Sequence, residues 1–317
     1  MRALYLDQTL ELIEDYPVPT TPPGEALVRV QLTGVCNTDL ELVRGYLAFR
    51  GVPGHEFIGS VEHCEAAPEL EGQRVVGEIN AACGHCETCQ ANRPTHCPHR
   101  TTLGIAGRDG AFAEYLSLPV VNLHRVPDPV TDEEAVFVEP LAAACEIMQA
   151  VHVKPTDRVA VLGDGKLGLL CAQVLQLTGC NLLAIGRHEE SLAILSQRGI
   201  RVTRDPAGQS GQFDIVVEAT GTPEGLATAR QLVRPRGTIV LKSTYHGAVE
   251  ANLTLVVVDE VSLVGSRCGP FEPALRLLEQ HLVDVNSLIR ARYRLRDGLA
   301  AFEHAGQRGA LKVLIEP

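Results

Sequence analysis

The sequence predicts a two-part α/β protein, an irregular, mostly β domain followed by a doubly wound parallel sheet. Three observations carry that expectation. Up to about residue 123 the chain is strand-like and broken by turns. From about residue 132 short apolar strands alternate with helices, the pattern of a parallel sheet with crossover helices. At the first such crossover stands the glycine-rich run Gly163-Asp164-Gly165-Lys166-Leu167-Gly168.

The elements follow in order. Residues 26–32 alternate apolar and polar in their second half, as a half-buried strand does. Residues 74–77 and 112–116 also read as strands, and Pro22-Pro23-Gly24, Pro53-Gly54 and Gly72 mark turns. Asp132-Glu133-Glu134 opens a helix running towards Ala150, with Pro140 at a helix start or a kink. Strand 158–163 feeds helix 166–177, which Gly179 ends. Strand 181–185, helix 189–197, strand 215–218, helix 223–232 and strands 237–241 and 262–265 complete the alternation. A helix at 272–281 and a strand at 311–315 are expected to return to the first domain. The expected divisions are 1–139, 140–266 and 267–317.

Composition narrows the function. The 317 residues carry a net charge of −11, which argues against non-specific nucleic-acid binding and against an anionic membrane surface. Trp is absent and aromatics are 4%, so stacking platforms for single strands are not expected. No apolar run approaches the ~20 residues of a membrane helix, and Asp259 stops the nearest, residues 253–258. Asp7 interrupts any signal-peptide core, so the ten cysteines read as reduced cytoplasmic thiols and metal ligands.

Four of those cysteines, Cys83, Cys86, Cys89 and Cys97, are spaced C-x2-C-x2-C-x7-C. Four thiolates on one short lobe suit a closed, tetrahedral structural zinc. A disulfide pair would need an oxidising compartment. Ferredoxins share C-x2-C-x2-C and the Cys-Pro ending, but place the fourth cysteine after three residues.

The run Gly163 to Gly168 fits G-x-G-x-x-G, between a strand and a helix. The first glycine makes the turn, the second admits a pyrophosphate and the third lets helix pack on sheet. A plain strand–helix turn would also use glycine. Where an acid would hold the ribose of NAD, the chain has Gly186-Arg187-His188. Arg187 can pair with a 2′-phosphate, and small Gly186 is expected to leave room for it, so NADP(H) is favoured over NAD(H). The alternatives for Arg187 are a solvated surface residue or stacking on adenine. The expected cofactor set is Gly163, Asp164, Gly165, Lys166, Leu167, Gly168, Arg187, His188, Thr220 and Gly221.

Cys36 in Gly34-Val35-Cys36-Asn37-Thr38-Asp39, His55-Glu56 after Gly54, and Glu139-Pro140-Leu141 supply dispersed Cys, His and carboxylate groups. Such a set suits a catalytic zinc with an open position. Singly, each has a bland reading: a buried thiol, a turn histidine, a surface acid. Together with the cysteine lobe, Asp109-Gly110-Ala111-Phe112-Ala113-Glu114-Tyr115 and the glycine run, they resemble the zinc-dependent medium-chain dehydrogenase/reductase family over nearly the whole chain.

The resemblance implies a GroES-like catalytic domain and a Rossmann domain, with the active site in the cleft between. It implies that Cys36 and His55 ligate the catalytic zinc, giving two zincs per chain. Glu56 would ligate it or sit behind it, and Glu139 stands at the place of a third ligand. Thr38 would take the substrate hydroxyl proton. The run from Thr38 to Gly45 is similar to the glucose and polyol dehydrogenases, although Glu41 replaces a His that many relatives carry. The implied activity is hydride transfer between an alcohol, a polyol or sugar favoured, and NADP, in a homodimer or homotetramer. Two other readings stay open: a reductase of a larger specialised metabolite, and a non-catalytic nucleotide-binding redox sensor.

Overall fold

The computed structural model describes residues 1–244 and 249–317. They form two compact units, Met1–Glu139 with Phe271–Pro317, and Pro140–Pro270.

The first unit is built on the ten-residue strand Glu25–Gly34. One stretch of it pairs antiparallel with Tyr115–Pro119, and it also pairs with Glu56–His63 and, at its end, with Lys312–Glu316. The sheet runs Leu123–Arg125, Arg74–Gly77, Glu56–His63, Glu25–Gly34, Lys312–Glu316, Ile289–Arg294. The last strand of the chain therefore lies beside one of the first. Leu4, Val35, Val52, Phe112, Phe302, Val313 and Ile315 share one core cluster. The Phe112 and Phe302 rings meet edge to face at 5.2 Å, a favourable arrangement for their quadrupoles.

Two expectations are corrected here. The strand expected at 112–116 begins only at Tyr115 and runs to Pro119. The amides of Ala111 and Phe112 are already spent on Gly54 and Pro53 carbonyls, at 2.9 and 3.0 Å. The helix expected to run on from Asp132 is two helices, Asp132–Ala135 and Val138–Ala150. Thr131 caps the first in a reciprocal bond with Glu134. Pro140 falls in the first turn of the second, where a missing N–H costs no bond.

Charge also braces this unit. Arg108 donates to both oxygens of Glu25, each at 2.7 Å, and Ser117 donates to the same carboxylate at 2.5 Å. The Arg108 and Glu25 side chains are 18% and 12% exposed. Burial alone would raise the Glu25 carboxyl, but the bonds from Arg108 and Ser117 prevail and hold it below its ordinary 4.5. Glu25 thus contributes stability that is complete above about pH 4.5 and is lost as pH falls through the depressed folded value. Arg108→Ala is expected to cost on the order of 3 kcal/mol at neutral pH. The difference from wild type should narrow in acid, as urea melts at pH 7 and pH 4 will measure. A difference indifferent to pH would refute the ion-pair account.

The second unit is a six-stranded sheet, all parallel, in the order Arg201–Thr203, Asn181–Ile185, Arg158–Leu162, Phe213–Glu218, Val233–Leu241, Ser262–Gly265. Numbered along the chain this is 3-2-1-4-5-6, the doubly wound order. Its strands are near-continuous apolar runs because helices cover the sheet, and Ala160, Leu183, Val216 and Ile239 lie in one buried cluster. Among the described residues no helix is long and apolar enough to cross a membrane.

Candidate functional site

The cysteine lobe has almost no apolar interior. From residue 82 to 96 no side chain is buried, and Cys97 is the first that is. Gly84 and Asn92, both at positive φ, turn the chain around the short helix Glu87–Gln90. The four sulfurs converge, with separations of 3.5 Å for Cys86–Cys89, 3.6 Å for Cys83–Cys97, 3.7 Å for Cys86–Cys97 and 4.0 Å for Cys83–Cys89. A tetrahedral zinc with Zn–S near 2.3 Å needs sulfurs about 3.8 Å apart, so the donor set fits. Backbone amides at Cys83 and His99 draw the Cys97 thiol down to about 6, while burial and the neighbouring sulfurs push Cys89 up to about 12. A dication would remove that conflict by taking all four as thiolates.

The second cluster sits where the central strand of the first unit ends. Cys36 follows Gly34 and Val35 and caps the helix Asn37–Val43. The helix's third residue, Asp39, is fully buried and accepts the Cys36 amide at 2.8 Å. Its other oxygen lies 3.1 Å from Nδ1 of buried His55. The two buried groups meet as a charge contact rather than an aligned hydrogen bond. Gly54 delivers His55 at φ +102, and a Cβ there would lie 2.9 Å from the Phe112 amide nitrogen, so only glycine fits. Glu56 opens the strand Glu56–His63. Donor atoms of Cys36, His55 and Glu56 lie within 4.8 Å of one another, a mixed S, N, O set that zinc accepts. Burial works against charge on His55, but Asp39 and Cys36 outweigh it and hold the imidazole well above its ordinary 6.5. A metal there would displace that proton.

The other expected site residues fall as follows. Thr38 Oγ1 lies 3.8 Å from Cys36 Sγ. Glu139, in the first turn of Val138–Ala150, is half-buried and stands outside the close trio. Glu41 is turned to Arg44 at the surface, 2.6 Å away. Two residues of this site were not singled out by the sequence. Asp39 had a signal, an acid three residues after a helix-capping position. Lys312 had only its oddity as a charge in an apolar strand; it is buried and its Nζ pairs with Glu56 Oε2.

In the second unit the glycines divide their tasks by geometry. A Cβ on Gly163, at φ +123, would lie 2.5 Å from the Ala219 carbonyl. One on Gly168 would lie 2.1 Å from the Gly163 carbonyl. A Cβ on Gly165 would meet nothing within 4 Å. This open glycine caps the eleven-residue helix Lys166–Gln176 and makes no side-chain cap bond, which leaves first-turn amides for an anion. A dinucleotide pyrophosphate fits these features. Lys166 is buried and Leu167 partly so. Thr220 donates to Glu218 at 2.6 Å, and the Gly221 amide donates to Ser243 at 2.8 Å.

Asp164 changes the reading of the second strand's end. Its carboxylate accepts the amides of Arg187 and His188, at 2.7 and 2.5 Å, and lies 3.1 Å from His188 Nδ1. A Cβ on Gly186 would sit 2.5 Å from the Asp164 Cβ. The space expected to admit a phosphate beside Gly186 is filled by Asp164, and that expectation is corrected. Arg187 itself is exposed, with no salt-bridge partner among the described residues.

Comparison with known proteins adds to this geometry. Residues 22–128 match the alcohol dehydrogenase GroES-like domain, and residues 167–280 match the zinc-binding dehydrogenase domain. An L-threonine 3-dehydrogenase of Streptomyces avermitilis is 31% identical, the match covering 95% of this chain and 94% of that one. D-arabinitol dehydrogenase 1 of Uromyces fabae is 28% identical, covering 100% and 97%. The crystal structure of a provisionally assigned zinc-binding dehydrogenase from Sinorhizobium meliloti 1021, bound to NADP, superposes with a TM-score of 0.90 at 26% identity, covering 100% and 99%.

Proposed function

The chain belongs to the zinc-type medium-chain dehydrogenase/reductase family, and from that premise we propose that it moves a hydride between an alcohol, a polyol or sugar, and NADP(H). It is an oxidoreductase of the alcohol dehydrogenase type. The observation that carries the finer reading is the trio Cys36, His55 and Glu56, with two of its members buried. The D-arabinitol dehydrogenase relative supports a polyol, and exposed Arg187 supports NADP(H).

Cys36 and His55 would hold a catalytic zinc in this reading, with Glu56 and Glu139 as the nearby carboxylates. When bound, zinc supplies the Lewis acidity that lowers an alcohol's pKa, and the nicotinamide supplies the hydride acceptor. Asp39 would place its charge against His55 Nδ1 and support the ring from behind. Thr38 takes the hydroxyl proton. Gly163, Gly165 and the first-turn amides after Gly165 hold the pyrophosphate.

The test is oxidation of a panel of polyols, sugars and simple alcohols with NADP+, followed by NADPH absorbance, beside metal analysis of protein purified without added zinc. Two zinc equivalents per chain are expected. Cys89→Ser should remove one of them and lower Tm, because a closed four-cysteine site contributes folding energy directly. One equivalent in wild type, or iron with visible colour, would overturn the assignment.

A homodimer or homotetramer in the cytoplasm is part of the same proposal. The helix Leu253–Val258 leaves Leu253, Val257 and Val258 exposed, and among the described residues Ser262–Gly265 is a sheet edge. Both are features that a second copy would cover. Sedimentation equilibrium will measure the state; a monomer at all concentrations rejects it.

A further inference from the structure

We propose that Lys242 is a positioning residue for the nicotinamide half of the cofactor, holding the backbone of Ser266 and Arg267 at the carboxyl end of the parallel sheet. The proposal rests on the dinucleotide reading above and deepens it. Lys242 directly follows the strand Val233–Leu241, and Ser266 directly follows the strand Ser262–Gly265. In a doubly wound sheet the ligand lies outside the carboxyl ends of the strands. The glycine turn and Arg187 follow the first two strands of this sheet and take the ADP half in that reading. The nicotinamide half then falls to the ends of the last three.

Lys242 is buried, with 8% of its surface exposed. Its Nζ donates to the Ala143 carbonyl at 2.7 Å, the Arg267 carbonyl at 3.0 Å and the Ser266 hydroxyl at 3.1 Å. An ammonium carries three protons, and these three acceptors match them. Ala143 belongs to the helix Val138–Ala150, so one side chain joins that helix to the segment after the last strand. Burying an ammonium is costly, and an apolar side chain would fill the same space. What the cation adds is direction. A peptide group is planar, so holding the Arg267 carbonyl holds the whole Arg267–Cys268 plane.

The neighbouring strand ends are pinned too. The Lys242 amide donates to the Glu218 carbonyl at 2.9 Å, and the Ser266 amide donates to the Leu241 carbonyl at 3.1 Å. A Cβ on Gly269 would run into the Ala142 carbonyl, so the segment lies flat against the helix. Three strand ends and one helix thus form a single rim, and Arg267 stays exposed on it. A rim fixed beforehand binds a planar ring without the cost of ordering a loop.

Calorimetric titration with NADPH and with 2′-phospho-ADP-ribose, which lacks the nicotinamide, measures this. Lys242→Met should weaken NADPH about tenfold, the loss expected for one charge-assisted bond, and leave 2′-phospho-ADP-ribose within about twofold. The emission of NADPH bound at saturation should also shift towards that of the free coenzyme. A merely structural role would lower Tm and weaken both ligands alike. Hydrogen exchange of wild type keeps the proposal open to refutation even if Lys242→Met fails to fold: NADPH should slow exchange in residues 262–270, and 2′-phospho-ADP-ribose should not. Equal weakening of the two ligands, unchanged NADPH affinity in Lys242→Met, or equal protection of residues 262–270 by both ligands overturns the proposal. A wild type that binds neither ligand would instead overturn the reading beneath it.

Discussion

Cys36→Ser is expected to lower turnover by on the order of 1,000-fold or more while the fold survives. The thiolate is a direct donor in the proposed site, and Lewis-acid activation is worth several kcal/mol. About 4 kcal/mol corresponds to a factor near 1,000. Cys36 is partly exposed and sits at a helix cap, and its amide bond to Asp39 does not depend on its side chain. Tm should therefore move by only a few degrees. His55→Ala should silence the enzyme equally but cost more stability, because it leaves the buried Asp39 oxygen facing a void. Steady-state kinetics, metal content and thermal melts on the two variants measure all three effects. Wild-type turnover in Cys36→Ser would end the zinc mechanism.

Arg187→Ala should weaken NADP(H) binding roughly 10- to 100-fold and leave NAD(H) nearly unchanged. Charge-assisted hydrogen bonds to the 2′-phosphate are worth roughly 1.5–3 kcal/mol each, and each ~1.4 kcal/mol is tenfold. The Arg187 amide is pinned by Asp164 while its side chain is left exposed, so the backbone is positioned and the guanidinium stays available. Gly186→Asp would not be a clean companion, because its Cβ would collide with Asp164. Fluorescence titration of both reduced cofactors decides the question. Equal affinity of wild type for NADH and NADPH would place Arg187 in solvent.

Much of the second unit was readable from the chain. Strands Asn181–Ile185 and Ser262–Gly265 and helices Glu189–Gln197 and Pro223–Leu232 stand at their expected bounds. Strands of a parallel sheet are short apolar runs, and Thr222-Pro223 is a local helix-start signal. The first unit was less legible. Residues 112–114 look like strand by composition, yet the Phe112 amide is claimed by the Pro53 carbonyl and the Glu114 amide by the Arg2 carbonyl. Gly186 was read as space for a ligand, when a side chain from the glycine-rich turn occupies it.

What the sequence determined by itself was chemistry carried by short spacings: the four-cysteine lobe, the glycine turn and the pairing of Cys36 with a His-Glu doublet. Groups close in the chain can be brought together by local turns alone, so their spacing predicts their meeting. Asp39 lies within that range and was visible in the Cys36 run. Lys312 was not, because it meets Glu56 across 256 residues. Only the register of three strands, set by burial of their apolar faces, joins them. Tertiary structure alone decided that one carboxylate beside the proposed metal would have a buried cation for a partner.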